Sequence, residues 1–249
     1  NYISTMVDLD GGRVVAVTEG RDKGAVGRLC DQLEARGGDR AAVLEVTRDM
    51  AEAYSLGVAA EMPSAAQTVD RFHVMQLFAR ATDRVRCRER RESDEKRRML
   101  AGTKYVWLKR EGNLTEGQRA KREELDPRSS HLRTARACQM TEAMRDVYKE
   151  PDRQSAAEAL DRLTSWMTHS NVPEMRVVAR TLRKEREGIL NWWHSNATNA
   201  ILEGLNSVIQ SIKRAARGFR NTSYFETMIF LRLGRLDFSA QTSLACATH

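Results

Sequence analysis

The chain has 249 residues, and its 41 lysines and arginines against 34 aspartates and glutamates give a net charge of +7. Apolar residues make up 41% and charged residues 30%, which excludes a disordered chain and suits one medium domain with an insertion or two small domains. No stretch approaches the roughly 18 uncharged apolar residues of a membrane helix, and no charged segment leads into an apolar one at the start. The composition predicts a folded cytoplasmic protein that spans no membrane.

The first 70 residues alternate between strand and helix patterns. β-Favouring runs flank an Asp-Gly turn, which predicts a hairpin, and Gly37 and Gly38 close the helical stretch that follows. The predicted elements are strand 2–7, strand 13–18, a helix around 26–33, strand 41–46, helix 50–61 and strand 66–69. This order predicts an α/β fold in which two strands end at an aspartate, Asp49 and Asp70.

After Asp70 the pattern changes. From Phe72 to about Leu236 the periodicity is helical almost throughout, with prolines as the only interruptions, and the apolar stripes are interpreted as core. Residues 239–249 are small and polar without a period, which predicts a flexible tail. The four cysteines contain no Cys-x-x-Cys pair, so ordinary thiols in a reducing compartment are a better interpretation than a zinc or redox motif.

The positive charge comes from two runs. Arg84–Arg110 contains eleven basic and four acidic residues, and Ser211–Arg220 adds four basic residues without an acid. Such patches are typical of proteins that bind a polyanion. The acids in the first run leave two interpretations open there, a nucleic-acid contact or a solvated helix face with i,i+4 ion pairs. The second run favours contact with phosphates.

Asp49 is the first candidate for chemistry. It follows a predicted buried strand, at the sheet edge where α/β proteins build their sites, and its carboxylate is a hard oxygen ligand suited to Mg²⁺. Because aspartate is also a common helix N-cap and a helix is predicted from Met50, capping is the alternative interpretation of this residue.

Residues 198–220 form the most informative segment. On a helix, one side carries Glu203 together with amide and hydroxyl residues and then two arginines, namely Asn199, Asn206, Ser207, Gln210, Arg214 and Arg217. A carboxylate can hold a metal ion, amides can hold neutral oxygens, and guanidinium groups can hold phosphates. A polar surface stripe that ends at Gly218 as helix C-cap is an equal alternative from these residues alone.

A family resemblance is carried by four segments in this order: Val46–Met50, Asp70–Val74, Thr198–Asn206 and Lys213–Arg220. Together they strongly resemble the ISL-three family of bacterial insertion-sequence transposases, and the resemblance covers nearly the whole chain. Such proteins look like DDE transposases, in which an RNase H-like mixed sheet presents two aspartates and a glutamate to two divalent ions, Mg²⁺ or Mn²⁺. By this resemblance Asp49 is the second aspartate and Glu203 the glutamate, and both are catalytic metal ligands.

The resemblance also implies an organisation and partners. Residues 1–73 are the sheet part, 74–190 a large all-α insertion, 191–238 return helices with the catalytic glutamate and a basic arm, and 239–249 the tail. The implied reaction is cleavage and transfer of DNA strands at element ends, for which two ions about 4 Å apart can activate a water or a 3′-hydroxyl. The expected partner is double-stranded DNA of the element ends and the target, bound by a homodimer.

Further roles follow residue by residue. Asp70-x-x-His73 looks like a motif that follows the second aspartate in transposases with helical insertions, which implies a positioning role; an Asp70 cap with a locally bonded His73 is compatible with it. Asn199 and Asn206 are also expected to position groups. The expected DNA-binding residues are Lys213, Arg214, Arg217 and Arg220. Core packing is favoured over base stacking for Trp192 and Trp193, whereas a DNA-facing role has more support for Trp107.

One part of the family pattern is absent. The first aspartate of the family lies on a strand before the one predicted at 2–7, and Asp8 and Asp10 fall in the hairpin turn and match no catalytic position. The chain, which begins with Asn1, is therefore expected to be truncated at its N-terminus and catalytically impaired. The alternatives are a transposase-derived DNA-binding protein without catalysis and an RNase H-like nuclease that cleaves without joining.

Overall fold

The computed structural model describes residues 2–125, 131–195, 200–215 and 221–235. The chain divides into two units, unit 1 with residues 1–67 and 197–249 and unit 2 with residues 68–196. The fold is mixed α/β, mostly helical with two small sheets. Among the helices of these ranges, none combines the length and the apolar character that crossing a bilayer requires.

The elements follow one another with short connections. In chain order they are β1 (Ile3–Asp8), β2 (Arg13–Glu19), α1 (Lys23–Ala35), a 3-10 turn (Arg40–Ala42), β3 (Glu45–Arg48), α2 (Glu52–Glu61), β4 (Ala66–Val69), α3 (Arg71–Glu89), α4 (Asp94–Met99), α5 (Lys104–Leu108), a second 3-10 turn (Glu111–Asn113), α6 (Glu116–Glu124), α7 (Arg133–Val147), α8 (Arg153–Thr168), α9 (Pro173–Lys184), α10 (Arg186–Leu190), α11 (Trp192–Ser195), α12 (Ala200–Ala215) and α13 (Thr222–Leu233).

The predicted hairpin of unit 1 is confirmed. β1 and β2 pair antiparallel, and Asp8 closes the connection because its Oδ1 accepts from the Gly11 backbone N–H at 2.9 Å. Gly12 follows with φ of +57°, a backbone conformation that a side chain would disfavour. The backbone hydrogen bond from Gly11 holds the pKa of the Asp8 carboxyl below its usual value. Asp8 therefore has a turn-closing contact, which agrees with the expectation that it is not catalytic.

β2 is buried by helices of unit 1. A bulge opposite Met6 and Val7 shifts the alternation of side chains, so that Val14 and Val17 face the same apolar cluster. That cluster includes Ile209 and Ile212 of α12 and three residues of α13, namely Phe225, Ile229 and Leu233. The helix that carries position 203 is thus held by its apolar side in the core of unit 1.

A second cluster joins α1, α2 and the strands. Val26 and Cys30 of α1 pack against Val58 and Met62, and Met6 of β1 and Val46 of β3 are among the residues that border them. β3 is bonded to β4 in a separate two-stranded sheet, with the Ala66 N–H donating to the Leu44 carbonyl at 2.9 Å. The sequence predicts one mixed sheet, whereas the strands of the described residues form two separate pairs.

The start of β3 differs from the prediction. The strand expected at 41–46 begins at Glu45, because Asp39 Oδ1 accepts from the Ala41 N–H at 2.8 Å and starts a 3-10 turn. Arg40 of this turn binds carboxylates on both neighbouring helices, at 2.6 Å from Glu34 and 2.6 Å from Glu61, and it also reaches Asp31. These ion pairs fix the turn against α1 and α2.

The described part of unit 2 is entirely helical apart from the end of β4. Its longest helix, α3, packs against α5, α7 and α9, and Phe78 on its inner face is completely buried. A hydrogen bond of 3.0 Å joins the hydroxyls of Thr82 on α3 and Thr141 on α7. The core is rich in methionine, with Met140, Met144, Met167 and Met175 among the fully buried side chains.

One buried carboxylate caps a neighbouring helix. The side chain of Glu89, at the end of α3, is 0% exposed. It accepts from the backbone N–H groups of Arg133 at 3.0 Å and Thr134 at 2.9 Å, and from the Thr134 hydroxyl at 2.8 Å. Leu132, the N-cap residue of α7, supplies no capping side chain. Glu89 therefore satisfies N–H groups that the first turn of α7 would otherwise leave without partners.

Candidate active site

Asp49 lies directly after β3, where the sequence predicts it. Its Oδ1 accepts from the Ala51 N–H at 2.8 Å, which makes a turn before α2 begins at Glu52. The N-cap position of α2 is Ala51, so the alternative in which Asp49 itself caps this helix is wrong. In the described residues no hydrogen bond reaches Asp49 Oδ2, and the side chain is half-buried. One carboxylate oxygen thus fixes the residue, and the other has no protein partner there.

The guanidinium of Arg48 secures the backbone at this position. Arg48 donates from Nη1 to the Asp49 carbonyl at 2.9 Å and from Nη2 to the Ser55 hydroxyl at 3.0 Å. Its Nε donates to Gln67 Oε1 at 2.6 Å, which connects the end of β3 to β4. Asp49 is therefore held on a backbone that three side-chain contacts make rigid, as a preorganised ligand requires.

Helix α12 presents one apolar and one polar face. Ile209 and Ile212 are buried, whereas Ser207, Gln210 and Lys213 are exposed. Position 203 lies on the same helix, four residues before Ser207 and seven before Gln210. This arrangement agrees with the predicted polar side of the segment 198–220.

The predicted basic arm is described in part. Lys213 and Arg214 are exposed; Arg214 donates from Nε to the Gln210 carbonyl at 3.3 Å, and neither cation makes an ion pair among the described residues. Asn199, Arg217 and Arg220 lie outside the described residues. For Glu203 and Asn206 the structure gives the helical backbone alone. The expectation that Asp49, Glu203 and the basic arm act in one site therefore remains a prediction.

The donor chemistry at Asp49 fits a hard divalent ion. A carboxylate oxygen without a protein partner, half-buried and on a fixed backbone, is the type of ligand that Mg²⁺ and Mn²⁺ prefer. Two residues earlier in the chain, the buried Thr47 hydroxyl has no hydrogen-bond partner among the described residues. Those residues contain no group of three or more His, Cys, Asp or Glu able to hold a metal ion, so Asp49 needs ligands from elsewhere.

Asp70 and His73 form a pair at the start of α3 in unit 2. Asp70 caps this helix, with Oδ1 accepting from the Phe72 N–H at 2.7 Å, and Oδ2 lies 2.9 Å from His73 Nδ1. The Asp70 side chain is 9% exposed and that of His73 39%. Both local contacts expected from the sequence are present, and a nearly buried carboxylate orients the imidazole.

The start of α3 is also held by aromatic rings. The guanidinium carbon of Arg71 lies 4.8 Å from the ring centroid of Tyr148 and 5.9 Å from that of Trp192, within the range of cation–π contacts. Tyr148 stacks on Trp193 with centroids 5.8 Å apart, and Trp193 Nε1 donates to the Glu150 carbonyl at 2.9 Å. Burial raises the pKa of the Tyr148 hydroxyl far above its usual value.

Comparison with known proteins decides the family. The ISL-three family model, which is described as a transposase, matches residues 1–229. The chain belongs to this transposase family. No solved structure matches the chain.

Two curated relatives of this transposase chain come from different bacteria. The transposase for insertion sequence element IS1557 of Mycobacterium tuberculosis is 28% identical over an alignment of 260 residues. The alignment covers 93% of the chain and 56% of the relative. The transposase for insertion sequence element IS1001 of Bordetella parapertussis is 27% identical over 228 residues, covering 90% of the chain and 55% of the relative. The chain therefore spans about half the length of the curated relatives it matches.

The structure changes the interpretation of the first basic run of the transposase chain. Arg86 is buried and lies 2.6 Å from Asp83, and Lys96 lies 2.9 Å from Glu92. For these residues the structure favours the ion-paired helix over a nucleic-acid contact. Trp107 is 2% exposed in an apolar cluster of unit 2, so the expectation that it faces DNA is wrong. The favoured packing role of Trp192 and Trp193 agrees with their contacts to Tyr148.

Sequence analysis missed the role of Arg71 in this transposase. The residue lies inside the Asp70–His73 motif, and its partners Tyr148 and Trp192 are far away in sequence. A usable signal was the adjacent tryptophan pair, since arginine commonly stacks on aromatic rings. Which arginine the pair contacts depends on the helix packing of unit 2 and could not be read from spacing.

Proposed function

We propose that this chain is the catalytic domain of an insertion-sequence transposase of the DDE type, which cleaves and transfers DNA strands at element ends. The observation that carries the proposal is the position of Asp49, whose carboxylate is fixed at the end of β3 with one oxygen free of protein partners in the described residues. Family membership over residues 1–229 supplies the reaction class.

The chain's own residues divide the work. Asp49 and Glu203 would hold divalent ions through carboxylate oxygens, and Arg48 keeps Asp49 in place. Two such ions supply Lewis-acid activation of the attacking water or 3′-hydroxyl and stabilise the leaving oxygen. Lys213 and Arg214, both exposed, would bind phosphates of the DNA. Asp70 orients His73 as a positioning pair, and Asn199, Asn206, Arg217 and Arg220 keep the roles expected from the family.

An RNase H-like sheet is supported by the two edges of the hairpin. On the outer edge of β2, the Gln32 carboxamide donates to the Val17 carbonyl at 2.7 Å and accepts from the Val17 N–H at 3.1 Å. Arg36 and Arg28 cover the carbonyls of Val15 and Glu19 on the same edge. Side chains of α1 therefore occupy the positions that another strand would need, and the sheet cannot grow beyond β2.

The edge of β1 is different. Thr5 lies opposite Val17, and because the backbone groups of Val17 point away from β1, those of Thr5 point away from β2. In the described residues no strand pairs with this edge, and no hydrogen bond from a side chain reaches the Thr5 backbone. Met6 and Val46 border the same cluster, which places β1 and β3 around one core without pairing. A further strand between β1 and β3 would join the two strand pairs into one mixed sheet, and an aspartate on it would complete the carboxylates.

Metal binding tests the catalytic assignment in the chain as it is. Titration with Mn²⁺, followed by calorimetry and paramagnetic resonance, is expected to show at least about tenfold weaker binding for Asp49→Asn and for Glu203→Gln, since each removes a ligand charge. Asp10→Asn is the matched control, because Asp10 is an exposed carboxylate in the hairpin turn. Equal Mn²⁺ affinity in the wild type and both site variants would refute the assignment and favour a DNA-binding protein without catalysis.

Strand joining on element-end DNA tests the reaction itself. We expect weak metal-dependent joining by the 249-residue chain, loss of joining in Asp49→Asn, and unchanged DNA affinity in that variant. Cleavage without joining would favour a nuclease. Synapsis of two ends requires at least two copies of the chain on DNA, and sedimentation as a monomer with and without end DNA would contradict the proposed homodimer.

A further inference from the structure

Helix α9 of unit 2 separates its side chains sharply. Its inner face consists of Met175, Val178, Ala179 and Leu182, each at most 1% exposed. Its outer face carries Arg176, Arg180, Arg183 and Lys184, all of which are exposed. The helix is therefore fixed to the core of unit 2 by apolar contacts, and its cations are not needed to hold it there.

Among the described residues, no carboxylate forms an ion pair with the arginines on the outer face of α9. Glu174 is the one acidic residue of helix Pro173–Lys184. It is turned towards α3, where Arg88 Nη2 lies 3.1 Å from its Oε2. Arg176 donates to the Ser170 carbonyl at 2.7 Å and Arg183 to the Thr164 carbonyl at 3.5 Å, which are contacts to neutral groups. In the ranges that the structure describes, Arg176, Arg180 and Arg183 make no ion pair.

Other charges near the helix are already matched. Asp161, whose carboxylate interacts electrostatically with Arg183, is bound by Arg186 at 2.8 Å, and this hydrogen-bonded pair holds the pKa of Asp161 below its usual value. On α3, Arg84 is exposed and lies one helical turn before Arg88, the residue that touches Glu174. Arg84 therefore lies on the same side of α3 as Arg88.

We infer that the α9 arginine face, defined as Arg176, Arg180 and Arg183, binds the phosphate backbone of duplex DNA. The three α9 arginines extend over about 10 Å along the helix, since each residue rises about 1.5 Å. Guanidinium groups bind phosphates in a fork geometry and read no base from that position. The inference rests on the proposed function for the identity of the polyanion, and it adds a DNA contact in unit 2.

A lipid surface fits this face less well. Binding to a membrane interface requires apolar side chains that can enter the headgroup region beside the cations. On α9 the apolar residues are in the core, and Val177, at 50% exposure, is the one large apolar side chain exposed on this helix within the described residues. Charge complementarity without an apolar contribution is characteristic of binding to nucleic-acid backbones.

The test compares two triple variants of the 249-residue chain. The first is Arg176→Gln, Arg180→Gln and Arg183→Gln. The control removes the same charge at Arg97→Gln, Lys149→Gln and Arg162→Gln, which are exposed cations that each already pair with a carboxylate. Binding to labelled duplexes of two unrelated sequences is measured by fluorescence anisotropy between about 50 mM and about 200 mM salt.

We expect the α9 variant to bind both duplexes more weakly and to lower the slope of log K against log salt by about three, one for each lost phosphate contact. The control is expected to change the slope by less than one third of that. The inference would be overturned by an unchanged slope in the α9 variant or by an equal change of slope in the control. It would also be overturned if the α9 variant lost binding to anionic vesicles and kept its binding to DNA. Urea midpoints within error of the wild type confirm that each variant is folded.

The failure of this inference is distinct from failure of the proposed function. Asp49→Asn is expected to lose Mn²⁺ affinity and to retain the salt slope, whereas the α9 variant is expected to retain Mn²⁺ affinity. If the α9 variant binds DNA like the wild type and Asp49→Asn loses Mn²⁺ affinity, the inference of a second DNA contact is refuted and the proposed function is not. Absence of DNA binding by the wild type would overturn both.

Discussion

Glu89 offers the sharpest test of how unit 2 is held together. Its carboxylate serves as the capping group of α7 although it belongs to α3, and it accepts three hydrogen bonds from Arg133 and Thr134. Lys96 Nζ lies 3.4 Å away and supplies a compensating charge. Glu89→Ala removes this acceptor and leaves two backbone N–H groups of the first turn of α7, and the Thr134 hydroxyl, without a partner.

The size of the effect can be estimated from those contacts. A hydrogen bond to a charged group contributes about 1.5–3 kcal/mol, and removal of one partner of a buried charged pair costs about 3–5 kcal/mol in total, because the contributions are not additive. We expect a loss of about 3–5 kcal/mol for Glu89→Ala. Glu89→Gln is expected to lose less, about 1–3 kcal/mol, since its amide oxygen still accepts on one side while its NH₂ group faces donors.

Urea unfolding followed by circular dichroism measures the free energy, and hydrogen exchange at the Arg133 and Thr134 amides locates the effect in unit 2. Glu95→Ala is the control, because Glu95 is exposed on α4 and a change there is expected to stay within about 0.5 kcal/mol. A Glu89→Ala variant within about 1 kcal/mol of the wild type, with protected amides at the start of α7, would refute the capping role.

Two further changes test other parts of the fold. Arg40→Ala is expected to lower the midpoint of thermal or urea unfolding of unit 1 by a small amount, since its partners Glu34 and Glu61 are partly exposed. The hydrogen bond from Arg40 lowers the pKa of Glu34. This stabilisation is therefore present above the usual pKa of 4.5 and is lost as pH falls through the lowered value. Identical dependence of stability on acid pH in the wild type and the Arg40→Ala variant would contradict this. Tyr148→Phe removes a buried hydroxyl that has no partner in the described residues, and we expect a change between zero and about 1 kcal/mol of added stability; a loss above about 1 kcal/mol would mean that the hydroxyl is bonded.

Local signals in the sequence predicted much of unit 1. The hairpin followed from an Asp-Gly turn between β-favouring runs, and the strand at 66–69 and the cap at Asp70 were found where they were expected. Each of these depends on residues within a few positions of one another. The family could also be recognised from short segments, since the match of residues 1–229 agrees with the resemblance.

Features set by distant residues could not be predicted. β3 starts at Glu45 because Asp39 begins a 3-10 turn, and the ion pairs of Arg40 that fix this turn against α1 and α2 are not revealed by periodicity. Trp107 lies in a basic run, yet packing with residues of α7 buries it. In both cases tertiary contacts outweigh the local pattern.

The candidate site was predictable as single residues more than as an assembly. Asp49 is at the predicted strand end, but the position of its carboxylate depends on Arg48 and Gln67, which belong to different strands. The α9 arginine face was not predicted as a binding surface, although its arginines can be read in the sequence. The decisive fact is that Glu174 is engaged by Arg88 of another helix, and this is a property of the packing.

The capped edge of β2 determines how copies of this hairpin could associate. A carboxamide carries one donor and one acceptor, so Gln32 imitates a strand residue and closes the hairpin on that side. A molecule with one open edge can form a closed pair through β1, and such an assembly then stops. Because Arg36 and Arg28 bind the carbonyls of Val15 and Glu19 on the same edge, the second edge would open only if all three side chains were replaced, and edge-to-edge growth could then continue from molecule to molecule. The side chains of Gln32, Arg28 and Arg36 thus separate a self-limiting contact from polymerisation.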